Sequence, residues 1–388
     1  MPTMKIAPVT AESSKISPKR ILWLLVGIFF LTLLTQPVRL YFFEMSKRWL
    51  YVLSYAGSLA FLLTPVMRAV AIRFGILDFP AGRKIHTTAT PLLGGVAVII
   101  AFTTALIANS ILEPRIVLFL SGSLIVALVS LIDDWRGLSA SVKLLVQVVV
   151  VLVLIYNDIV LDLFPVKTTW GHCLNVLLTL VWVVGITNAM NFMDGMDGLA
   201  AGLSAVIAFF IGLVAFQTNQ PFMGWIAAAV FGSCLGFLPF NFRVRKPAAV
   251  FLGDAGSTFL GFVLACLAVI GDWDENPIVS FSAPVLIFWV LIYDMAHITV
   301  ERILKGKVRN LKEWIDYVGK DHLHHRICGL IGDRRKTVLL IYSLSATFGL
   351  SAIVLKNART IDCVVLVIQA LLITLIVSIL EYSGRNHD

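Results

Sequence analysis

Long apolar stretches alternate with short polar segments along most of the chain. The apolar stretches run for about 17–22 residues, the length that an α-helix needs to cross a bilayer. They lack the polar face that a helix on a soluble core would carry. The pattern therefore predicts an all-α polytopic integral membrane protein with about 11–12 transmembrane helices and functional loops between them. The predicted spans are 21–38, 49–72, 93–112, 115–132, 143–161, 172–188, 199–216, 222–240, 257–271, 279–300, 336–355 and 361–381.

Composition agrees with this prediction. Apolar residues make up 59% of the chain and charged residues 14%, whereas soluble domains average about 45–50% and about 25%. The mean hydropathy is +0.90. A membrane enzyme or a membrane transporter is therefore the expected class of protein.

The start of the chain is interpreted separately from the rest. Residues 1–20 are a polar tail, 21–45 an extra span with its linker, and 46–388 the integral membrane domain. The charged segment before the first apolar stretch also resembles a signal peptide. No small-residue cleavage site follows that stretch, so a retained anchor is expected.

Basic residues indicate how the chain crosses the membrane. Most of them lie in the loops near 73–91, 133–143, 241–257 and 301–336. Arg39, Lys47 and Arg48 go against this trend. Because Lys and Arg favour the cytoplasmic side, these four loops are predicted to be cytoplasmic.

The net charge of +8 is spread over these loops without the basic and aromatic pattern of a nucleic-acid site. No nucleic-acid partner is expected, and membrane lipid headgroups and an anionic substrate explain the charge better. The five cysteines are isolated. They predict neither a disulfide framework nor a zinc site.

Carboxylates stand at the ends of the apolar stretches, where an ionisable group is costly unless it has a function. Asp133 and Asp134 follow one predicted span. Two adjacent carboxylates repel each other unless a cation compensates, so the pair indicates Mg²⁺ or a general base. A solvated helix cap is the alternative. Lys143, at the mouth of the next span, is placed to meet a phosphate or else to snorkel toward the membrane surface.

A polar strip follows a later span. Asn188, Asn191, Asp194 and Asp197 recur at every third position, which places them along one side of a helical backbone. Glycines at 195 and 198 interrupt a regular helix and allow close approach of a ligand. Amide and carboxylate oxygens are the ligands that a hard cation prefers. Asx-turns at a helix junction are the structural alternative.

The segment from Phe251 to Ser257 places Asp254 between glycines at a predicted helix start. Free N–H groups near Gly256 and Ser257 are predicted to form an anion site. Phe251 is an aromatic residue that could stack on a base or simply pack against the helix end.

Three histidines, His322, His324 and His325, precede Arg326 in the longest cytoplasmic loop. This composition favours phosphate binding, proton transfer or a structural cluster over zinc, because no further ligand pair stands at a familiar spacing. Asp294 and His297 lie three residues apart in the preceding span, and we expect them to pair with each other.

Together these motifs resemble the polyprenyl-phosphate N-acetylhexosamine-1-phosphate transferase superfamily, glycosyltransferase family 4, over roughly residues 50–355. The resemblance includes an earlier stretch with Asp78-Phe79-Pro80, Arg83-Lys84, His86, Pro91 and Gly94-Gly95. The closest likeness is to the undecaprenyl-phosphate N-acetylglucosamine-1-phosphate transferase branch, which primes O-antigen, enterobacterial common antigen or teichoic acid synthesis.

The resemblance implies a multi-pass enzyme of the bacterial inner membrane with its active site on the cytoplasmic face. Such an enzyme transfers N-acetylglucosamine 1-phosphate from UDP-N-acetylglucosamine to polyprenyl phosphate, releases UMP and depends on Mg²⁺, with Mn²⁺ as an alternative. The expected partners are the UDP-sugar, polyprenyl phosphate and membrane lipid, and a homodimer is left open.

Roles are carried over residue by residue. Asn191 and Asp254 are the expected metal ligands. The expected catalytic residues are Asp133, Asp134, Asp194, Asp197, His322, His324 and His325. The expected substrate-binding residues are Lys143, Asn188, Phe251, Arg326, Arg83, Lys84 and His86.

Two departures from the family pattern concern the donor. The segment 242–246 and the loop 305–321 are longer than in many relatives, so another UDP-N-acetylhexosamine stays an alternative. Arg326 stands where the peptidoglycan-precursor branch continues with an aromatic residue, which argues against a UDP-MurNAc-pentapeptide donor. A cation-coupled transporter is the alternative from another class, but it predicts acids at mid-membrane and an inverted repeat.

Overall fold

The structure is a computed structural model that describes residues 18–79, 89–243, 245–310, 313–314, 317, 319 and 321–385. Within these residues the chain is almost entirely helical. The helices are α1 Pro18–Leu33, α2 Gln36–Glu44, α3 Arg48–Phe74, α4 Gly94–Ala108, α5 Pro114–Arg136, α6 Ala140–Tyr156, α7 Thr169–Phe192, α8 Leu199–Gln217, α9 Pro221–Asn241, α10 Gly253–Ile270, α11 Pro277–Ile287, α12 Trp289–Leu304, α13 Leu323–Ile331, α14 Arg334–Val354 and α15 Thr360–Arg385.

The helices confirm the predicted all-α membrane fold. Eight of them are long and apolar enough to cross a membrane, and two bent pairs raise the number to ten. The predicted spans 93–112 and 143–161 correspond to α4 and α6, which are apolar but only 15 and 17 residues long.

Two predicted spans are broken rather than straight. Between α1 and α2 the chain bends by 73°, and between α11 and α12 by 79°. Pro37 lies at the start of α2 and Pro284 inside α11. Proline cannot donate a backbone hydrogen bond, so helices commonly end or kink near it.

Helix α10 lies at the centre of the helical assembly. It packs against α4, α5, α7, α8 and α9, and 89% of its apolar window is buried. Gly95 of α4 and Gly256 of α10 lie so close that a side chain on either would meet the other's backbone. The first turn of α10 is therefore fixed by the packing around it.

Two short strands lie beside this first turn. Leu77–Asp78 pairs antiparallel with Thr90–Pro91. The backbone just before α10 is hydrogen-bonded to the second strand and to the start of α4. Pro91 accepts the N–H of Phe251 at 2.8 Å, and Gly94 donates to the Phe251 carbonyl at 3.0 Å.

Candidate active site

The carboxylates from the separate motifs meet in one cleft. Its volume is about 810 Å³, and it lies where α5, α7 and α9 end and α10 and α14 begin. Seven aspartates and three arginines line it. The lining residues are Asp78, Leu92, Asp133, Asp134, Asp194, Gly195, Met196, Asp197, Asn241, Phe242, Arg243, Pro247, Phe251, Gly253, Asp254, His325, Gly332, Asp333, Arg334 and Arg335.

Asp134 joins α5 to α10. Its two carboxylate oxygens accept the backbone N–H groups of Asp254 at 2.9 Å and of Ala255 at 3.0 Å. A helix start leaves its first N–H groups without partners inside the helix. Asp134 satisfies two of them, so it caps a helix 120 residues further along the chain.

This cap lies beside the predicted anion site at Gly256 and Ser257. Ser257 lies inside α10 and donates its hydroxyl to the Gly253 carbonyl at 3.1 Å. The N–H groups of Asp254 and Ala255 at the helix start are used by a carboxylate of the protein, and binding of an anion at Gly256 and Ser257 stays a prediction.

Lys143 bridges Asp133 and Asp254. Its Nζ lies 2.7 Å from the Asp254 carboxylate and in closer contact with that of Asp133. The ammonium group neutralises part of the negative charge between α5 and α10. Its ammonium group is held by two carboxylates that line the cleft, while its contact with substrate stays a prediction.

The aspartates of the polar strip lie on a turn between α7 and α8. Helix α7 ends at Phe192, and Gly198 adopts a left-handed conformation with φ 83°, which glycine adopts without strain. Asn241 accepts the Gly198 N–H at 2.7 Å, and Asp197 accepts the Ala248 N–H at 2.8 Å. These bonds hold the turn against the loop that leads to α10.

Asp194 has an unusual electrostatic environment. Removal from water raises the pKa of its carboxyl well above the ordinary value, and the nearby charges of Asp254 and Asp134 raise it further. A backbone hydrogen bond from Gly253 opposes this rise in pKa. Crowding of carboxylates in the cleft therefore favours a bound cation.

The two asparagines of the strip occupy different places. Asn191 donates to Ser257 Oγ at 3.0 Å, at the junction of α7 with α10. Asn188 lies one turn earlier, where it donates to Gln147 at 2.6 Å and to the Val184 carbonyl at 2.7 Å. Asn188 is not among the residues that line the cleft, and its substrate contact stays a prediction.

The family resemblance assigns Mg²⁺ to Asp254, which lines the cleft, and to Asn191, which is not among the lining residues, so this ligand set stays a prediction. No three His, Cys, Asp or Glu side chains form a ready metal cage among the described residues. Mg²⁺ commonly takes one or two carboxylates and completes its shell with waters and substrate phosphates. Asp254 and Asn191 lie on adjacent helix ends, and the surrounding aspartates make the cleft attractive to a cation.

Phe251 lines the cleft beside Gly253 and Asp254. Its backbone is held by hydrogen bonds to Pro91 and Gly94 on the strand side. The residue is half-buried. Stacking of this ring on a base stays a prediction.

The histidine cluster has one member at the cleft and two in the interior. His325 lines the cleft, whereas His322 and His324 are 5% and 1% exposed. The ring centroids of His324 and His325 are 4.2 Å apart. Burial lowers the pKa of His324 well below its ordinary value, and His325 and His322 lower it further.

The expected pair of Asp294 with His297 is wrong. Asp294 instead lies 2.7 Å from Nδ1 of His322, and His297 lies 3.7 Å from Glu301 on its own helix. The pattern within one helix could not reveal a partner 28 residues away.

Arg326 is brought to α15 rather than to the cleft. Its guanidinium lies 3.0 Å from the Glu381 carboxylate, and both side chains are almost fully buried. Its predicted substrate contact remains untested, while the visible contact holds α13 on the last helix. Arg83, Lys84 and His86 lie outside the described residues.

Several charged residues of the cleft were not singled out from the sequence as site residues. They are Asp78, Arg243, Asp333, Arg334 and Arg335. The run Asp333-Arg334-Arg335-Lys336 directly before a span was a usable signal, but charges at span ends commonly only flank the membrane. Asp333 caps α14 by accepting the Lys336 N–H at 3.0 Å.

Comparison of the sequence with known proteins identifies the family of this chain. The sequence profile of Glycosyl transferase family 4 matches residues 116–272, which include the aspartate pair, Lys143, the turn after α7 and the start of α10. A Bacillus subtilis protein described as a probable undecaprenyl-phosphate N-acetylglucosaminyl 1-phosphate transferase is 34% identical over 305 residues, 76% of this chain and 82% of that protein.

Two further relatives are similar over comparable lengths. A decaprenyl-phosphate N-acetylglucosaminephosphotransferase of Mycolicibacterium smegmatis is 31% identical over 318 residues, 74% of this chain and 77% of that protein. An undecaprenyl-phosphate alpha-N-acetylglucosaminyl 1-phosphate transferase of Yersinia pestis is 27% identical over 320 residues, 80% of this chain and 84% of that protein. The chain therefore belongs to glycosyl transferase family 4, in the branch that contains these N-acetylglucosaminyl 1-phosphate transferases.

Proposed function

We propose that this protein transfers N-acetylglucosamine 1-phosphate from UDP-N-acetylglucosamine to undecaprenyl phosphate or a similar polyprenyl phosphate, releasing UMP. The observation that carries the proposal is the Asp133–Lys143–Asp254 arrangement, which joins α5, α6 and α10 at the cleft. The relatives named above support the acceptor and the sugar.

The reaction balances as a phosphoryl transfer. An oxygen of the lipid phosphate bonds to the β-phosphorus of the donor, and the bond from that phosphorus to the bridging oxygen breaks. UMP leaves with the bridging oxygen. Such transfers need chiefly positioning and neutralisation of negative charge.

Asp133 is the residue of the pair that we assign to the acceptor. Both oxygens of Asp134 are held by backbone N–H groups of α10, so its visible role is to position that helix. Asp133 shares Lys143 with Asp254. Its Oδ1 accepts the backbone N–H of Leu138 and its Oδ2 contacts Lys143. We assign to Oδ2 the acceptance of a proton from the lipid phosphate, with Lys143 neutralising charge beside it.

Mg²⁺, with Mn²⁺ as an alternative, would be held by Asp254 and Asn191 and would neutralise charge on the diphosphate. Asp194 and Asp197 would line the nucleotide site, with Phe251 against the uracil. His325, with His322 and His324 behind it, would contact phosphate or sugar. The arginines at 243, 334 and 335 add positive charge to a cleft lined by seven aspartates.

The setting that we propose is the cytoplasmic face of a bacterial inner membrane. Basic residues concentrate in the loops that lead to the cleft, which supports this orientation. The product, a polyprenyl-diphosphate sugar, suits the first membrane step of a cell-surface polysaccharide. A homodimer is compatible with this function and is not required by it.

The test is release of UMP by purified protein given undecaprenyl phosphate, Mg²⁺ and UDP-N-acetylglucosamine. Lipid-dependent release that Asp254→Asn abolishes is the expected result. Asp158→Asn is the matched control, because it removes a carboxylate from an exposed position after α6, far along that helix from Lys143. It should release UMP at the wild-type rate.

Other outcomes have distinct meanings. Absence of UMP release with any UDP-N-acetylhexosamine, by folded protein, would overturn the transferase proposal. Release with another UDP-sugar only would correct the donor. Exchange of labelled UMP into the donor without any lipid phosphate would indicate a covalent aspartyl-phosphate route instead of direct attack.

A further inference from the structure

A buried aspartate on α12 holds the first histidine of the cluster. Asp294 has no exposed surface. Its Oδ2 lies 2.7 Å from Nδ1 of His322, and its Oδ1 accepts the backbone N–H of Leu323 at 2.6 Å. One carboxylate thus binds both the imidazole ring and the first N–H group of α13.

The rest of the surroundings also restrains this ring. Phe192, at the end of α7, stacks on His322 with centroids 4.9 Å apart and planes 29° apart. His324 lies nearly parallel to it, at 6.0 Å and 16°. The ring of His322 therefore connects the end of α7 to the histidines that lead to the cleft.

A second ion pair fixes the backbone just before this ring. Arg302, also on α12, donates to both oxygens of Asp321, at 2.7 and 2.8 Å. Bidentate ion pairs of this kind fix the relative orientation of the two side chains as well as the distance between them. Because this ion pair already holds the backbone before His322, the remaining effect of the Asp294 contact is on the imidazole ring itself.

On the basis of the proposed function, we propose that Asp294 is a positioning residue for the transfer reaction. It fixes His322 in the tautomer that carries its proton on Nδ1, and so leaves Nε2 as an acceptor. The hydrogen bond made by one ring nitrogen decides the protonation of the other. Through His322, Asp294 sets the geometry of the cluster whose outer member, His325, lines the cleft.

Capping of α13 alone does not account for this residue. Ser, Thr or Asn caps a helix with a neutral side chain, whereas a fully buried carboxylate carries a large desolvation cost unless charged or hydrogen-bonded partners compensate. The partner that compensates here is the imidazole. A carboxylate that orients a histidine is a recurring device, and its loss costs about 10–100-fold in activity in metal sites.

Asp294→Asn provides a sharp test, because the geometry dictates how the amide must sit. The Leu323 N–H requires the amide oxygen at the Oδ1 position. The amide nitrogen then faces Nδ1 of His322, which must become an acceptor, and the ring proton moves to Nε2. Both hydrogen bonds persist, so the fold should be retained while the tautomer is inverted.

The tautomer is read without substrate, by solid-state NMR of the full chain labelled with ¹⁵N-histidine in lipid. The protein has seven histidines, and the His322→Gln spectrum identifies the signals of His322. We expect an Nδ1–H ring in the wild type and an Nε2–H ring in Asp294→Asn. An unchanged tautomer in a folded Asp294→Asn protein would overturn the proposal, whatever its activity.

Kinetics test the functional part. Asp294→Asn should lower kcat/KM by about 10–100-fold, and should cost nothing further in a His322→Gln background, because it acts through that ring. Glu301→Gln is the matched control, since Glu301 lies on the same helix and contacts Lys305 and His297 instead. It should leave kcat/KM unchanged.

The remaining outcomes are decisive too. Wild-type kcat/KM in Asp294→Asn, or fully additive effects with His322→Gln, would contradict the positioning role. If Asp294→Asn does not fold, full activity of His322→Gln contradicts it independently. If the wild type shows no transferase activity, the proposed function fails, while the tautomer result still stands or falls on its own.

Discussion

The carboxylate of Asp134 receives the backbone N–H of Asp254 at 2.9 Å across 120 residues of sequence. Asp254, which lines the cleft from the first turn of α10, is thus placed by a residue at the end of α5. The neighbouring Asp133 shares Lys143 with the side chain of Asp254. Asp134 therefore contacts the backbone of Asp254, and Asp133 is linked to the side chain of Asp254 through the charge of Lys143.

This division predicts different effects of the same substitution at the two positions. Asp134→Asn turns one acceptor into a donor that faces a backbone N–H, so the free energy of unfolding should fall by about 1–3 kcal/mol. Asp133→Asn can still accept the Leu138 N–H but loses the ion pair with Lys143, so it should lose UMP release with a smaller loss of stability than Asp134→Asn. Thermal unfolding followed by tryptophan fluorescence checks the stability of both variants, and the UMP assay checks the activity of Asp133→Asn. Equal stability of Asp134→Asn and wild type would show that the cap contributes little.

We predict that position 195 must be a glycine, because the imidazole of His324 lies directly behind it. A Cβ at this position would lie 2.5 Å from Nε2 of His324, and His324 is buried and cannot move freely. Gly195→Ala should therefore destabilise the protein by about 1–3 kcal/mol and reduce UMP release. Gly185→Ala on α7 is the control, because nothing lies within 4 Å of its Cβ position. Wild-type stability and activity of Gly195→Ala would refute the expectation.

His324 should make stability depend on pH. Its pKa is lowered in the folded protein, chiefly by burial, so the unfolded chain binds a proton first as the pH falls below about 6.5. Stability rises with pH wherever the unfolded state binds more protons. This group should therefore cost about 1 kcal/mol at one pH unit below that value.

Substitution of the imidazole checks this sign. Both ring nitrogens of His324 lack a hydrogen-bond partner in the described structure. His324→Leu should therefore reduce the loss of melting temperature between pH 7.5 and 5.5. His172→Gln, at an exposed position of α7, should keep the wild-type difference. A larger acid loss in His324→Leu than in wild type would reverse the assignment.

The membrane fold could be predicted because span length is a local property. A run of about 20 apolar residues identifies a span wherever it packs, and all twelve predicted spans overlap helices. The two bends were not predicted, although Pro37 and Pro284 lie close to them. Proline permits a break without requiring one, since neighbouring helices decide whether the chain bends.

The cleft was predictable in part. Aspartates at alternate span ends must lie on one membrane face, so a shared face for Asp133, Asp194 and Asp254 follows from counting spans, whereas their meeting in one cleft depends on how the helices pack. The cap by Asp134 and the pair of Asp294 with His322 were not predictable. They join helices distant in sequence, and a pattern within one helix carries no information about its partner.

The partner of Arg326 likewise could not be predicted from the sequence, and this pair leads to a final prediction. Its guanidinium is paired with Glu381 at 3.0 Å in the protein interior. Removing one member leaves a buried charge, which typically costs about 3–5 kcal/mol, whereas replacing both is often neutral. Arg326→Leu and Glu381→Leu should each lower the melting temperature, and the double variant should recover most of the loss. The donor KM of the double variant should equal that of the wild type. A stable Arg326→Leu protein with a raised donor KM would instead establish the substrate contact that the family resemblance predicts.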